Sequence, residues 1–255
     1  MAAKQRSAAG FDPVVGSTLM YTGAVLGYGF GFFISGIHDL EVPFLGMPFI
    51  DNYRETYDPI NDTGVGFSLF SLFFCGHFAK RILEVLFVHR YNHIMPALEL
   101  LGGVIYYTVF SIGIAASLRV YISDQNVDFK LLSLGACIFI VGEIGNGVSH
   151  YQLRLLRDPR LQRKDDDTNA RNRPIPVGWI FEYVSCPHYF FEIVSWLGFF
   201  VAVGTIPVLV FLIATTVIVS SKALKYHGEY KEFFNGTMGR KMYPPKRKAI
   251  IPFIL

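Results

Sequence analysis

The sequence has few charged residues, few cysteines and few of the motifs that mark soluble enzymes. Of its 255 residues only 17% are charged, while 52% are hydrophobic. A soluble domain of this length rarely has such a composition, whereas a membrane protein that crosses the bilayer several times commonly does. The formal net charge of +3 is too small to indicate a nucleic-acid-binding protein.

The three cysteines do not indicate a disulfide framework. Cys75, Cys137 and Cys186 all lie in apolar stretches. We therefore expect buried thiols, which say little about the compartment. The first ten residues are polar and the apolar run after them is too long for a signal peptide, so we expect the first span to remain as an anchor.

Several motifs of soluble enzymes are absent or incomplete. Gly27, Gly29 and Gly31 alternate inside an apolar segment with no strand before it, so they are not a dinucleotide fingerprint, and close helix packing explains them better. His89 and His93 have helical spacing, but no second histidine cluster accompanies them, and we expect no metal site. No G-x-S-x-G elbow occurs.

Long apolar windows dominate the chain. They cover residues 18–37, 65–88, 98–118, 131–148 and 190–221. A membrane-spanning helix needs about 20 such residues, so the last window is too long for one helix, and Pro207 predicts a break near Gly204. Because the backbone must satisfy its own hydrogen bonds in lipid, we predict an all-α membrane protein with six or seven transmembrane helices.

Basic residues are concentrated in three segments. They lie in 80–90, in 154–173 and in the tail after 222, whereas acidic residues gather in 39–62 and at Asp124 and Asp128. The positive-inside rule places the basic segments on the cytosolic side. The basic loop either orients the protein and contacts anionic lipid, or it collects a phosphate-bearing ligand, and both readings stay open.

Two carboxylates interrupt the apolar stretch 175–198. An ionisable group in hydrocarbon is costly, so Glu182 and Glu192 are candidate functional residues. The alternative is that each reaches the membrane interface. Apolar residues flank Glu192 on both sides, so we expect it to face the bundle interior, whereas Glu182 fits either position.

A second group of polar residues repeats every three or four positions. Asn146, His150, Arg154 and Arg157 therefore share one helix face. An amide, an imidazole and two guanidinium groups suit a ligand with hydroxyls and phosphates. A helix end at the membrane surface would explain the arginines, but Asn146 and His150 precede the basic loop.

Four blocks of sequence carry a family resemblance over residues 76–255. They are HFAKRILEVLFVHRYNHIMP at 77–96, GNGVSHYQLRLLR at 145–157, the stretch 175–198 with its S-C-P-H-Y segment, and YPPKRKAIIPFIL at 243–255. Together they resemble the membrane reductases that include steroid 5-alpha-reductases and trans-2-enoyl-CoA reductases. The first block and the S-C-P-H-Y segment look closer to the enoyl-CoA branch.

The resemblance implies a single reductase domain over 1–255 with seven helices, NADPH as cofactor and no metal. NADPH delivers a hydride to the β carbon of an alkene conjugated to a carbonyl in an acyl-CoA or steroid, as in fatty acid elongation. Nucleotide-contacting positions match Asn146, His150, Arg157, His188 and Glu192, with Arg154 on the same helix face.

Proposed catalytic positions of the enoyl-CoA branch match Lys80 and Tyr230. A cation beside the tyrosine favours its phenolate and so eases proton donation. The alternative is that Tyr230 belongs to the interfacial aromatic belt and Lys80 is an anchor.

Some residues depart from the family pattern. Phe78 replaces a tyrosine, and the first span lacks a glutamate motif. The family's Y-R-I-P becomes Arg173-Pro174-Ile175-Pro176, which loses the tyrosine, and we expect no ubiquitin-like N-terminal domain. A second hypothesis is therefore a family member without catalysis that serves as an accessory subunit of a larger membrane complex. The family favours the endoplasmic reticulum, and an accessory role favours another organelle membrane, such as the mitochondrial inner membrane.

Overall fold

The computed structural model describes residues 10–37, 63–91, 93–124, 128–158 and 174–255. The acidic segment 39–62 and most of the basic loop 154–173 lie outside these residues. The predicted orientation of the protein in the membrane therefore stays a prediction, as does the interpretation of the basic loop.

Six α-helices make up most of the described chain, as the apolar windows predicted. They are α1 (Pro13–Ile37), α2 (Thr63–Leu83), α3 (Ala97–Asp124), α4 (Phe129–Leu156), α5 (Pro187–Val203) and α6 (Ile206–Phe233). The only sheet among the described residues pairs β1 (Gly10–Phe11) antiparallel with β2 (Met95–Pro96), with Gly10 opposite Pro96 and Phe11 opposite Met95. The prediction of an all-α membrane protein is confirmed.

The number of spans is lower than predicted. Among the described residues, α1, α3, α4 and α6 are long and apolar enough to cross a bilayer, whereas α5 is apolar but has only 17 residues. A helix of that length rises roughly 25 Å, less than the usual thickness of the hydrocarbon core. In the part of the chain that the structure describes, four to five spans thus stand in place of the predicted six or seven.

The long apolar window 190–221 is divided at the predicted position. Gly204 closes α5 in the left-handed conformation, with φ of 70°, and its N–H donates to the Phe200 carbonyl at 2.7 Å. Glycine adopts this conformation without a steric penalty. Pro207 lies in the first turn of α6, where its missing N–H costs nothing.

The chain forms two compact units. The first comprises Met1–Val127 with Thr205–Pro207, and in it α1 packs against α3. A Cβ at Gly27 would lie 2.8 Å from the Thr108 carbonyl oxygen, and one at Gly31 would lie 2.5 Å from that of Ile112. Close helix packing, as predicted, explains these two glycines, whereas the prediction is wrong for Gly29, where a Cβ would meet nothing within 4 Å.

The second unit comprises Asp128–Gly204 and Val208–Leu255, and in it α4 packs against α5. Its tail folds back beside the segment that precedes α5. The Lys248 N–H donates to the Tyr183 carbonyl at 2.8 Å, and the Ser185 N–H donates to the Lys248 carbonyl at 2.8 Å. Cys186 is buried in a core cluster with Val219, Ala223, Ala249 and Ile250.

The cysteines are free thiols, but only one of them is buried as expected. Cys186 is buried, Cys75 is partly buried and Cys137 is exposed. The expectation was wrong for Cys137 because the apolar face of a membrane helix can point outward to lipid instead of into protein.

Candidate functional site

The second unit brings Asn146 of α4 together with His188 and Glu192 of α5. Asn146 is only 1% exposed. Its Nδ2 donates to the His188 carbonyl oxygen at 2.9 Å and to Glu192 Oε2 at 3.1 Å. One amide nitrogen thus connects the two helices through both of its hydrogens.

Glu192 is held by two donors. Besides the bond from Asn146, its Oε1 accepts a hydrogen bond from Trp196 Nε1 at 3.0 Å, one helical turn further along α5. The side chain is partly buried. These bonds agree with the predicted inward orientation of Glu192, while its role in cofactor binding stays a prediction.

The imidazoles of His150 and His188 lie close to each other next to Asn146 and Glu192 on the same two helices. His150 is 6% exposed, and its ring centroid lies 5.3 Å from that of His188. Because Asn146 and His150 are both buried, this helix face is not simply a helix end at the membrane surface. Arg154 and Arg157 continue it at the end of α4 and are partly buried. The Arg157 backbone N–H donates to the Arg154 carbonyl at 3.0 Å and closes the helix.

Glu182 has a different environment from Glu192. Its side chain is 53% exposed, its Oε2 lies 3.7 Å from Arg247 Nη2, and its Oε1 accepts from the Gly178 N–H. Arg247 is buried and also donates through Nη1 to the Pro176 carbonyl at 2.7 Å. The sequence left two positions open for Glu182, the bundle interior and the membrane interface. Its exposure fits the interface and not the interior.

A hydrogen-bond group around Ser185 was not predicted. Its Oγ lies 2.6 Å from His227 Nδ1 and 2.7 Å from the Tyr243 hydroxyl, and it donates to the Lys248 carbonyl oxygen at 3.1 Å. Burial raises the pKa of Tyr243, so its phenol stays protonated at neutral pH. The residues are 42 and 58 positions from Ser185, so no local spacing indicated the group.

Tyr230 lies in an aromatic stack next to this group. It is 5% exposed, and its ring is nearly parallel to that of Tyr243, with an angle of 11° and 5.5 Å between centroids. Phe234 stacks on it at 6.2 Å. A tyrosine of the interfacial belt would expose its hydroxyl end, so the burial does not fit the belt, while the catalytic role of Tyr230 stays a prediction.

Lys80 belongs to the first unit, and its described ion pair is internal to α2 and the turn after it. Its Nζ lies 3.7 Å from Glu84 Oε1, and Arg81 also pairs with the Glu84 carboxylate. Glu84 is buried in the π-helical turn Glu84–Val88. Tyr230 lies in the second unit, so the predicted convergence of Lys80 and Tyr230 stays a prediction.

Phe78 occupies an aromatic pocket in the first unit. It is buried, and its ring centroid lies 5.5 Å from Tyr107, 6.0 Å from Tyr21 and 5.0 Å from Phe74. Arg81 Nη2 donates to the Tyr21 hydroxyl at 3.1 Å. Two phenol side chains therefore surround the position where the family pattern has a tyrosine.

The predicted helical spacing of His89 and His93 is wrong. The helical backbone ends at Val88, and His89 is extended, with φ of −70° and ψ of 141°. The two histidines therefore share no helix face. His89 Nδ1 instead lies 3.0 Å from the Tyr91 hydroxyl.

Comparison with known proteins shows which family the chain belongs to. The family model described as 3-oxo-5-alpha-steroid 4-dehydrogenase matches residues 93–255, which include α3 to α6 and the tail. The chain belongs to this family. The resemblance inferred from the four sequence blocks is confirmed.

The relatives agree with the enoyl-CoA branch. The chain is 34% identical over 183 residues to a very-long-chain enoyl-CoA reductase of Dictyostelium discoideum, covering 70% of the chain and 55% of the relative. It is 32% identical over 184 residues to a mouse trans-2,3-enoyl-CoA reductase-like protein (71% and 48%). It is 30% identical over 185 residues to the bovine 3-oxo-5-alpha-steroid 4-dehydrogenase 1 (71% and 66%). The chain thus spans about half the length of the two enoyl-CoA relatives and 66% of the length of the steroid dehydrogenase.

Proposed function

We propose that the chain binds NADPH and reduces a carbon–carbon double bond conjugated to a carbonyl in a lipid substrate. The enoyl-CoA thioester is the favoured substrate class, and a 3-oxo-4-ene steroid is the other. The observation that carries the proposal is the hydrogen-bonded group of the buried Asn146 with the partly buried His188 and Glu192, which lies within the matched part of a reductase family.

The donor set fits a nicotinamide dinucleotide. His150, Arg154 and Arg157 follow Asn146 along α4, so imidazole and guanidinium groups continue from the buried amide to the basic helix end. Guanidinium groups suit phosphates and imidazoles suit ribose hydroxyls. Both hydrogens of the Asn146 amide are used within the protein. We therefore propose that Asn146 orients Glu192, while the arginines bind phosphate.

Tyr230 is the proposed acid of the reaction. When bound, NADPH would supply the hydride for the β carbon of the substrate. The phenol of Tyr230 would donate a hydrogen bond to the carbonyl oxygen, where negative charge develops, and would then give its proton to the enolate, which carries it on the α carbon. The phenolate of Tyr230 would regain a proton from water once the product has left. The burial of Tyr230 keeps water from this step. The family match proposes Lys80 as the positive charge that favours the phenolate, and its approach to Tyr230 stays a prediction.

The second candidate function is an accessory subunit without catalysis. The specific observation behind it is Phe78, which fills its pocket with a ring that carries no hydroxyl. Such a protein would reside in the membrane of its complex, whereas the reductase would reside in the endoplasmic reticulum. Its partner subunits would copurify with the full chain after mild solubilisation.

The test uses purified full-length protein in nanodiscs. NADPH binding is measured by quenching of tryptophan emission, and turnover by NADPH oxidation with a trans-2-enoyl-CoA, a 3-oxo-4-ene steroid and the saturated acyl-CoA as control. Binding with turnover of an unsaturated substrate supports the reductase. Folded protein that neither binds NADPH nor turns over either substrate contradicts it and favours the accessory subunit.

A matched pair of variants locates the NADPH site. Glu192→Gln changes the carboxylate that Asn146 contacts, whereas Glu99→Gln changes an exposed carboxylate in the first turn of α3. We expect weaker NADPH binding only for Glu192→Gln. Equal binding by both variants would place the nucleotide elsewhere.

A further inference from the structure

Ser185 is the centre of a buried hydrogen-bond group that the proposed chemistry does not itself use. It is 2% exposed and lies just before α5. Its Oγ contacts His227 of α6, Tyr243 of the tail and the Lys248 carbonyl oxygen within 3.1 Å. One small side chain therefore connects three separate segments of the second unit.

The three contacts use the full capacity of a hydroxyl group. A serine hydroxyl has one hydrogen to donate and can accept two hydrogen bonds. The Lys248 carbonyl can only accept. All three contacts are satisfied together when Ser185 donates to Lys248 and accepts from the Tyr243 phenol and from the Nδ1–H of His227. An alanine at position 185 removes the whole arrangement.

Tyr243 transmits this arrangement to Tyr230. Its hydroxyl is held by Ser185, and its backbone N–H donates to the Phe234 carbonyl at 2.7 Å. The guanidinium carbon of Arg247 lies 5.1 Å from the centre of its ring. The ring is thus fixed at the backbone and at the hydroxyl, and Tyr230 lies nearly parallel to it at 5.5 Å.

We infer that Ser185 is a positioning residue for Tyr230 and acts through the ring of Tyr243. The inference rests on the proposed function, in which the Tyr230 phenol serves as the acid. Without its hydrogen bond to Ser185 the Tyr243 ring can rotate away, and Tyr230 loses the surface on which it stacks. A catalytic group that is displaced by a fraction of an ångström loses turnover even when the cofactor stays bound.

A double-mutant cycle tests the inference. Ser185→Ala and Tyr243→Phe each remove one side of the same hydrogen bond, so each should lower kcat by about fivefold to tenfold. The dissociation constant of NADPH should change by less than about twofold, because neither residue belongs to the proposed phosphate set. The double variant should be no slower than Ser185→Ala, since the shared bond is lost only once.

Ser195→Ala is the matched control. Ser195 is also fully buried, and its Oγ donates to the Phe191 carbonyl within α5 at 3.1 Å. The Ser195→Ala variant should leave kcat unchanged. If the two single effects multiply in the double variant, or if Ser195→Ala lowers kcat equally, Ser185 has only a general structural role and the inference is wrong.

A second readout does not depend on turnover. A fluorotyrosine placed at position 230 reports the surroundings of that ring by fluorine NMR. Its resonance should shift in Ser185→Ala and in Tyr243→Phe, and stay in place in Ser195→Ala. An unmoved resonance in Ser185→Ala overturns the inference. Absence of turnover in the unmutated protein contradicts the proposed function instead, and the shift alone then shows whether Ser185 positions the ring.

Discussion

Replacing Glu192 with alanine should destabilise the second unit. The carboxylate accepts hydrogen bonds from Asn146 Nδ2 on α4 and from Trp196 Nε1 on α5. Both donors are buried. Alanine leaves them without this acceptor in a part of the bundle where water cannot easily replace it.

The size of the effect follows from those two bonds. A buried donor that loses its acceptor costs about 1–3 kcal/mol, so two donors give roughly 2–6 kcal/mol. Glu192 is only partly buried, and its removal also relieves the desolvation of a charge. We therefore expect about 2–4 kcal/mol for Glu192→Ala. Glu192→Gln keeps one oxygen acceptor and should lose about 1–2 kcal/mol.

Tryptophan fluorescence can follow the unfolding. The chain has two tryptophans, of which Trp196 is buried and Trp179 is exposed. Trp179→Phe leaves Trp196 as the only reporter, next to the mutated carboxylate. Denaturant unfolding in detergent micelles then gives the free energy of unfolding for each variant.

Glu99→Ala provides the comparison. Glu99 is an exposed carboxylate at the start of α3, so its loss should change the free energy of unfolding by less than about 1 kcal/mol. The predicted contribution of the two hydrogen bonds to Glu192 is refuted if Glu192→Ala unfolds at the same denaturant concentration as Glu99→Ala. It is also refuted if the emission of Trp196 is unchanged in the folded state of Glu192→Ala.

Three further predictions concern the nucleotide site, the helix packing and the proposed acid. Arg157→Ala should weaken NADPH binding about tenfold to a hundredfold in a fluorescence titration, and unchanged affinity in folded protein would refute the phosphate contact. Gly198→Ala places a Cβ 2.3 Å from the Phe139 backbone nitrogen and should lose about 1–3 kcal/mol in thermal unfolding. Gly102→Ala meets open space and should gain up to about 1 kcal/mol, so equal stabilities would contradict this packing. Tyr230→Phe should abolish turnover and leave NADPH affinity unchanged; retained turnover would exclude Tyr230 as the acid.

The positions of the helices could be predicted because lipid imposes a simple length rule. The apolar window 131–148 became α4, and Pro207 correctly indicated the break after α5. The end of α4 at Leu156 lies beyond that window, since polar turns can continue a helix outside the hydrocarbon. The π-helical turn Glu84–Val88 has no distinct sequence signal. The prediction that His89 and His93 share a helix face was therefore wrong.

The polar site could be predicted only where its residues share a helix or a recognisable motif. Helical spacing placed Asn146 and His150 on one face, and the family motif added His188 and Glu192. Ser185 and Tyr243 meet only because the tail pairs with the segment before α5, a long-range contact that no local pattern reveals.

The most direct test of the proposed reductase follows the hydride itself. NADPH that carries deuterium at its transferable position is incubated with the purified protein and a trans-2-enoyl-CoA, and the acyl product is analysed by mass spectrometry. We expect a saturated product with a single deuterium on its β carbon, formed by the unmutated protein and not by Tyr230→Phe. A folded, NADPH-binding sample that yields no deuterated product from the enoyl-CoA or from the steroid would contradict it.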